Sequence, residues 1–278
     1  MTTTRADGLD PETPLSVLSR FSVRTLEQDL SEFTVVAQMP VGGMRNPFTG
    51  LPSVAGLAIL VDDVAGRVNY YRCGPGAWTV SSELTVEMSP GAVDRLLADP
   101  DEPVIAAARP LGPAGATLLS VCTLTHRGIV IGGGTVRTMP LAGGPDEPLD
   151  RGADPLRRTP DTTLAELMSA EPLPVRDGVY RLRQGPDPMV NNLIGIVHGG
   201  VSSAGLELAA AAAFNHEQDI PLRTASIRVN FLRPFLAGAQ SVYEARALRI
   251  GRTSAIADAT AIGDDGKAAV IARVTGYR

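Results

Sequence analysis

Between Asn192 and Gly200 the chain reads Asn192-Leu-Ile-Gly195-Ile-Val-His198-Gly199-Gly200, and a carboxylate, Glu207, follows nine residues after the histidine. The stretch after the two glycines is strongly apolar, so Gly199 and Gly200 are expected to open a helix. The first N–H groups of a helix have no intrahelical acceptor, and the macrodipole adds to them, so this position favours negative charge. Glycine there lets a carbonyl oxygen approach the backbone closely. One such donor is worth roughly 3 kcal/mol in a transition state. Glu207 falls about two turns into the same helix. A carboxylate on an apolar helix is costly unless it is paired or used, and burial would raise its pKa toward that of a useful base. His198 can serve in either of two ways, by bonding backbone to fix the loop or by meeting the carbonyl, because a neutral imidazole suits both. Asn192 does not titrate, so it is read as orienting the loop or contacting the carbonyl rather than as a base.

The elements that must position these residues occur twice. Residues 1–14 are polar and proline-containing and are expected to be a loose arm; 15–140 form a first unit, the breaker-rich 141–160 a linker, and 161–278 a second unit. Asp161 is expected to cap a helix start. Each unit runs entry strand, loop, apolar helix, strands. In the first, these are Phe33–Met39, a helix near Val54–Asn69, and strands near Thr79–Met88, Val104–Arg109, Ala116–Thr125 and Ile129–Arg137. In the second they are Val179–Arg183, a helix near Gly199–Asn215, and strands near Arg223–Leu232, Gln240–Arg249, Thr253–Ile262 and Ala268–Thr275. Gly132-Gly133-Gly134 reads as a bulge or bend rather than a phosphate loop, because a strand follows it.

A shift of 144 residues superposes the units, placing Leu57 on Val201, Leu60 on Ala204, Val64 on Leu208, Gly56 on Gly200, Pro90 on Pro234 and Asp63 on Glu207. The apolar positions form one stripe of a 3.6-residue helix. Asp63 and Glu207 sit on the flank of that stripe. Asp62 points away from it and is expected to be solvated, so Asp63 is chosen as the first unit's functional acid.

Over residues 180–278, and most specifically at Asn192, Gly195, His198, Gly199, Gly200 and Glu207, the sequence resembles the PaaI-like hotdog thioesterase family. Over 30–137 the resemblance reduces to the shared register and the helical acid. It implies an α+β fold, a double hotdog in which each half is a long helix wrapped by an antiparallel sheet. It further implies acyl-CoA substrates and thioester hydrolysis without a metal or other cofactor, coenzyme A being part of the substrate. In that family the loop of one hotdog faces the helical acid of the other. Carried over, one site joins Asn192, His198 and Gly199 to Asp63, with Gly195 and Gly200 on the substrate side. The other joins Glu207, with Thr224 as a helper for the attacking water, to a first-half loop in which Phe48, Val54 and Ala55 stand where the motif has Asn, His and Gly. Asn46 and Gly50 lie close by, so an insertion could hide a match. The first half carries Val80 at the helper position, between Thr79 and Ser81. The His198 loop with Asp63 is taken as the working site.

Composition narrows the alternatives. The net charge is −5, Lys267 is the only lysine and aromatics are 4% of the chain, so neither a phosphate backbone nor an anionic membrane is an expected partner. Cys73 and Cys122 lack metal or disulfide spacing and read as buried thiols. No apolar run is long enough to span a bilayer, and the N-terminus lacks a signal-peptide core, so a cytoplasmic protein is expected. His126 and His216 have no motif context. Arg233, Arg249 and Arg252 are weak candidates for coenzyme A phosphates. There is no Gly-x-Ser-x-Gly elbow and no Gly-x-Gly-x-x-Gly after a strand. The remaining alternative is a non-catalytic acyl-CoA-binding or sensor protein with the same fold. A homo-oligomer of the fused chain is compatible with either.

Overall fold

Strands with alternating apolar residues, separated by Gly- and Asp-rich turns, pair with their sequence neighbours, and that local rule builds nearly all of this molecule. The computed structural model describes residues 17–73, 76–143, 154, 156, 159, 161–215 and 218–278. The first half contains α1 (Val17–Arg20), β1 (Arg24–Asp29), β2 (Thr34–Met39), α2 (Leu57–Arg72), β3 (Ala77–Met88), α3 (Ala92–Ala98), β4 (Val104–Pro110), β5 (Leu118–His126) and β6 (Ile129–Ala142). The second contains α4 (Leu164–Leu167), β7 (Ala170–Pro172), β8 (Tyr180–Gln184), a 3-10 turn (Pro188–Val190), α5 (Gly199–Phe214), β9 (Arg223–Phe231), β10 (Val242–Ile250), β11 (Ser254–Ile262) and β12 (Ala268–Tyr277).

The strands form one antiparallel sheet in the order β1-β2-β4-β5-β6-β3-β9-β12-β11-β10-β8-β7. The seam between halves is β3 against β9, from Glu83 opposite Asn230 to Glu87 opposite Ser226. Helix α2 packs on β2 to β6, α5 packs on β8 to β12, and the two helices pack on each other. Each half is thus a helix wrapped by its own strands, and the whole is a double hotdog. The expected arm at 1–14 lies outside the described residues, as does most of the expected linker at 141–160.

Side-chain size explains how closely the layers approach. Along β11, Ala255, Ala257, Ala259 and Ala261 all face inward and are buried, and they meet the alanine run Ala209–Ala213 of α5. In the first half the same role falls to Gly134 of β6, where an added Cβ would come 3.0 Å from Val61 Cγ1 of α2. The Gly132–Gly134 run lies in a regular ladder opposite Leu124, Thr123 and Cys122, and the irregularity falls beside it, so the expected bulge at the glycines is corrected.

Of the elements the sequence left unread, β1 is an edge strand with five of six residues exposed and α1 is a single turn. The helix expected after Asp161 is α4, also a single turn. The cap of α4 is Thr163, not Asp161: its hydroxyl accepts from the Glu166 N–H while Glu166 bonds back to the Thr163 N–H, a capping box that satisfies two orphan donors. α1 is tied to the second half by the buried Arg20, which pairs with Asp154 (3.0 Å) and with Asp187.

Gly205 of α5 faces the ring of Tyr243, a fully buried side chain held by its hydroxyl bond to Gln184 at 2.8 Å. A Cβ at Gly205 would stand 2.4 Å from Tyr243 Cε2. Gly205→Ala is therefore expected to lower stability by about 1–3 kcal/mol despite alanine's better helix propensity. Urea denaturation checks this; an unchanged or raised midpoint would show that the helix and ring yield freely.

Candidate active site

The loop before α5 is built by its own polar groups. Asn192 Oδ1 accepts from the N–H groups of Ile194 and Ile196, both at 3.1 Å, and Gly195 supplies a left-handed turn at φ +78°. The His198 N–H donates to Val190 O and the Val197 N–H to Phe235 O, which fix the loop to the 3-10 turn and to the segment after β9. His198 is the N-cap of α5, its Nδ1 accepting from the Gly200 N–H at 3.1 Å.

The start of α5 crosses the first two turns of α2 at very short range. A Cβ on Gly200 would lie 2.4 Å from Ile59 Cα, and one on Gly199 would lie 2.7 Å from Asp62 Oδ2 and 3.2 Å from Phe231 Cζ. At position 200 the obstacle is backbone and only glycine fits; at position 199 a side chain would have to displace the ends of the Asp62 and Phe231 side chains. The close approach lets the Gly200 N–H donate to Asp62 Oδ2 at 2.7 Å, with His198 Nδ1 3.4 Å from the same oxygen. The other carboxylate oxygen of Asp62 accepts from Ser81 Oγ at 3.0 Å.

The partner of the His198 loop is therefore Asp62, and the choice of Asp63 is corrected. Asp62 is 7% exposed, not solvated. The reason lies in α2 itself, which is enclosed on all sides over most of its length, so an apolar stripe does not mark an inner face. Asp63 is turned to a different wall of the same cavity and pairs with Arg67, one turn on, at 2.7 Å. Burial pushes the Asp63 carboxyl above its ordinary range, against the pull of the Arg67 guanidinium. Ser81, not Val80, is the hydroxyl beside the first-half acid, at a register irregularity between Ser81 and Glu83 in the β3–β6 ladder.

These groups open on a cavity of about 620 Å³ between the halves. Its walls include Asp62, Asp63, Gly66, Ser81, His198 and Gly199, together with Tyr70, Trp78 and Phe231. Phe214 is fully buried in the core instead. Arg233 lines the cavity while paired with Asp265 at 2.9 Å; Arg249 and Arg252 are exposed and do not line it. Gly195 and Thr224 do not line it either.

The pseudo-symmetric site is different. Glu207 is 1% exposed and accepts from Thr224 Oγ1 at 2.6 Å and Ser53 Oγ at 3.0 Å. Ser53 Oγ also accepts from the Ala55 N–H at 3.0 Å, as His198 Nδ1 does from Gly200. Glu207 thus corresponds to Asp62, Ser53 to His198 and Ala55 to Gly200, a shift of 145 residues rather than 144. Asn46 Oδ1 accepts from the Phe48 N–H and Gly50 turns at φ +69°, so the loop keeps the Asn192 and Gly195 devices with one residue inserted. The void beside Glu207 is only about 10 Å³. The expected placement of Phe48, Val54 and Ala55 opposite Asn192, His198 and Gly199 is corrected accordingly.

Of the remaining candidates, His126 is buried with Nε2 3.1 Å from Asp99 O, and His216 lies outside the described residues. Cys122 is buried, its thiol pushed up to about 12 by desolvation, while Cys73 is only half-buried at the end of α2. Among the described residues no cluster of His, Cys, Asp and Glu could hold a metal, and no helix is long and apolar enough to cross a membrane.

Residues 194–270 match the model of the Thioesterase superfamily. In overall structure the chain is similar to a tesB protein of Mycobacterium avium subspecies paratuberculosis, with TM-score 0.64, 11% identity, and coverage of 94% of this chain and 97% of that one. It is similar to an acyl-CoA thioesterase II, TesB2, of Mycobacterium marinum, with TM-score 0.58, 13% identity, and coverage of 94% and 97%. A hotdog-fold protein of unknown function from Alicyclobacillus acidocaldarius gives TM-score 0.53, 14% identity, and coverage of 91% and 98%. Comparison with curated protein sequences finds no match. Together these establish a double-hotdog fold whose second half carries a thioesterase-superfamily segment.

Burial pushes the Glu207 carboxyl up to about 7, the two hydroxyl bonds only partly opposing it. Its folded pKa exceeds its ordinary value of 4.5, so its contribution to stability is fully present below about 4.5 and is lost as pH rises through about 7. Glu207→Gln, which keeps the shape without the charge, should match the wild type near pH 4.5 and exceed it at pH 8.5 by about 2–3 kcal/mol. Thermal melts of both proteins across that range read the difference; parallel curves would mean that Glu207 is not held protonated by the fold.

Proposed function

We propose that the chain is an acyl-CoA thioesterase whose working site is the cavity between the halves, with Asp62 as base and the first turn of α5 as oxyanion hole. The observation that supports this best is the Asp62 carboxylate held at 2.7 Å on the Gly200 N–H, where an acid of one half meets a helix N-terminus of the other beside a large cavity. A thioester carbonyl set over Gly199 would direct its oxygen to the N–H that opens the helix, where developing charge is favoured. Asp62 would then take a proton from a water as the water oxygen attacks the carbonyl carbon. Collapse of the tetrahedral intermediate breaks the C–S bond, and the coenzyme A sulfur leaves and takes up a proton. Ser81 and the Gly200 N–H orient the Asp62 oxygens for this, and the Asn192 turn holds Gly199 in place. Glu207 takes no part: its two oxygens are satisfied by hydroxyls in a closed void.

Release of free thiol from a panel of acyl-CoAs tests this reading. Asp62→Asn is expected to lower kcat about 10³-fold with a small change in KM and no loss of fold. If Asp62→Asn keeps its activity and Asp63→Asn loses it, the base is Asp63 and the assignment fails.

A further inference from the structure

Helix α2 is buried at every position from Leu57 to Asn69 except Gly66, and Tyr70 follows as the next half-buried residue. Asp62, Gly66 and Tyr70 succeed one another at i, i+4 and i+8, a single line along one face of the helix. All three line the cavity. A Cβ built on Gly66 meets no heavy atom within 4 Å. Packing therefore does not require glycine here, and glycine is the poorest helix former after proline. The equivalent residue of α5, 145 positions on, is Ala211, and it lines the closed void beside Glu207. The half that keeps glycine at this point has the open cavity.

We propose that the acyl group lies along α2, passing over Gly66 and ending against the edge-to-face pair of Tyr70 and Trp78, whose rings are 5.2 Å apart, and that Gly66 sets the chain length the enzyme accepts. This rests on the thioesterase reading of the same cavity. Eight residues of helix separate Asp62 from Tyr70, a run of ~12 Å, which suits a medium-length chain rather than an acetyl group. The lining on that side combines Val80, Met139 and Leu141 with the hydroxyls of Thr79, Ser82 and Thr138, and the apolar surface that would end the channel is the Tyr70–Trp78 pair. Past Phe231 the lining is made by Ile194, Ile196, Leu232 and Phe235 with Asn192 and Arg233 among them, and this second arm would take the pantetheine.

The test compares wild type, Gly66→Ala and Gly66→Leu on acetyl-CoA and octanoyl-CoA, and measures by calorimetry the binding of S-octyl-coenzyme A, a thioether that cannot be hydrolysed. Each methylene excluded from an apolar site weakens binding about fourfold, so Gly66→Leu should lose at least ~10-fold in kcat/KM on octanoyl-CoA and in affinity for the thioether. Acetyl-CoA turnover should stay within about threefold of wild type. Gly66→Ala should show a smaller loss with the same selectivity, and both variants should melt no lower than wild type, which separates a blocked channel from a damaged fold. An unchanged chain-length profile in Gly66→Leu overturns the proposal. So does an equal loss on acetyl-CoA and octanoyl-CoA, because the arm along α2 would then hold pantetheine. If wild type binds the thioether and Gly66→Leu does not, yet no acyl-CoA is hydrolysed, the channel stands and the thioesterase reading falls. A wild type that does not bind the thioether overturns the channel as well.

Discussion

The hydrogen bond from the Gly200 N–H to Asp62 joins helices of different halves, and its 2.7 Å length depends on two backbones almost touching. Any side chain at Gly200 would run into Ile59, and any at Gly199 would meet Asp62 itself. The crossing therefore requires glycine at position 200, at a helix start where its poor propensity matters least and the unpaired N–H groups matter most. Everything around the crossing serves its position. The Asn192 turn and the His198 cap aim the first turn of α5, and the continuous sheet through β3 and β9 holds the two helix-carrying halves in one register.

Two adjacent carboxylates on an enclosed helix would repel each other and lose hydration together. The structure separates their fates by giving them different partners. Asp62 receives an N–H from a helix terminus and a hydroxyl from Ser81, and it faces the cavity. Asp63 is turned to Arg67, which in turn donates to Thr25 Oγ1 at 2.7 Å. Arg67 is thus the ion-pair partner of Asp63, while the hydrogen bonds to Asp62 come from α5 and Ser81. In the mechanism proposed above, this division gives the base a partner at the positive end of a helix.

The sequence patterns carried the architecture because local signals dominate it: Gly- and Pro-rich breaks, strands rich in apolar residues, and an apolar helix in each half. They carried the turn at Asn192 and Gly195 and the start of α5 after His198, which short-range bonds fix. They did not carry the identity of the first-half acid. A helix enclosed on nearly all sides offers no solvent face against which to rank Asp62 and Asp63, and the offset between the units is 145 through the loop and helix where the Pro90–Pro234 match suggests 144. The pairing of Ser53 with Glu207 was the signal that could have corrected it, but a serine standing for a histidine is visible only once both side chains are seen bonding the same kind of backbone N–H.

That substitution also bears on why the two halves share one chain. In a symmetric dimer every change appears at both sites, so placing Ser, Val and Ala in the loop would alter both loops at once. Joined in one chain, the halves can diverge. The Ser53 side has closed onto its carboxylate: the space a substrate would need is about 10 Å³, and two hydroxyls occupy the Glu207 oxygens. Closing it exchanges a cleft, which exposes backbone and excludes packing, for a filled core. The His198 side keeps its cavity and the unfilled position at Gly66. An open site weakens packing where it lies, and a fused partner that has closed its own is the most direct place within the same cooperative fold to offset that loss.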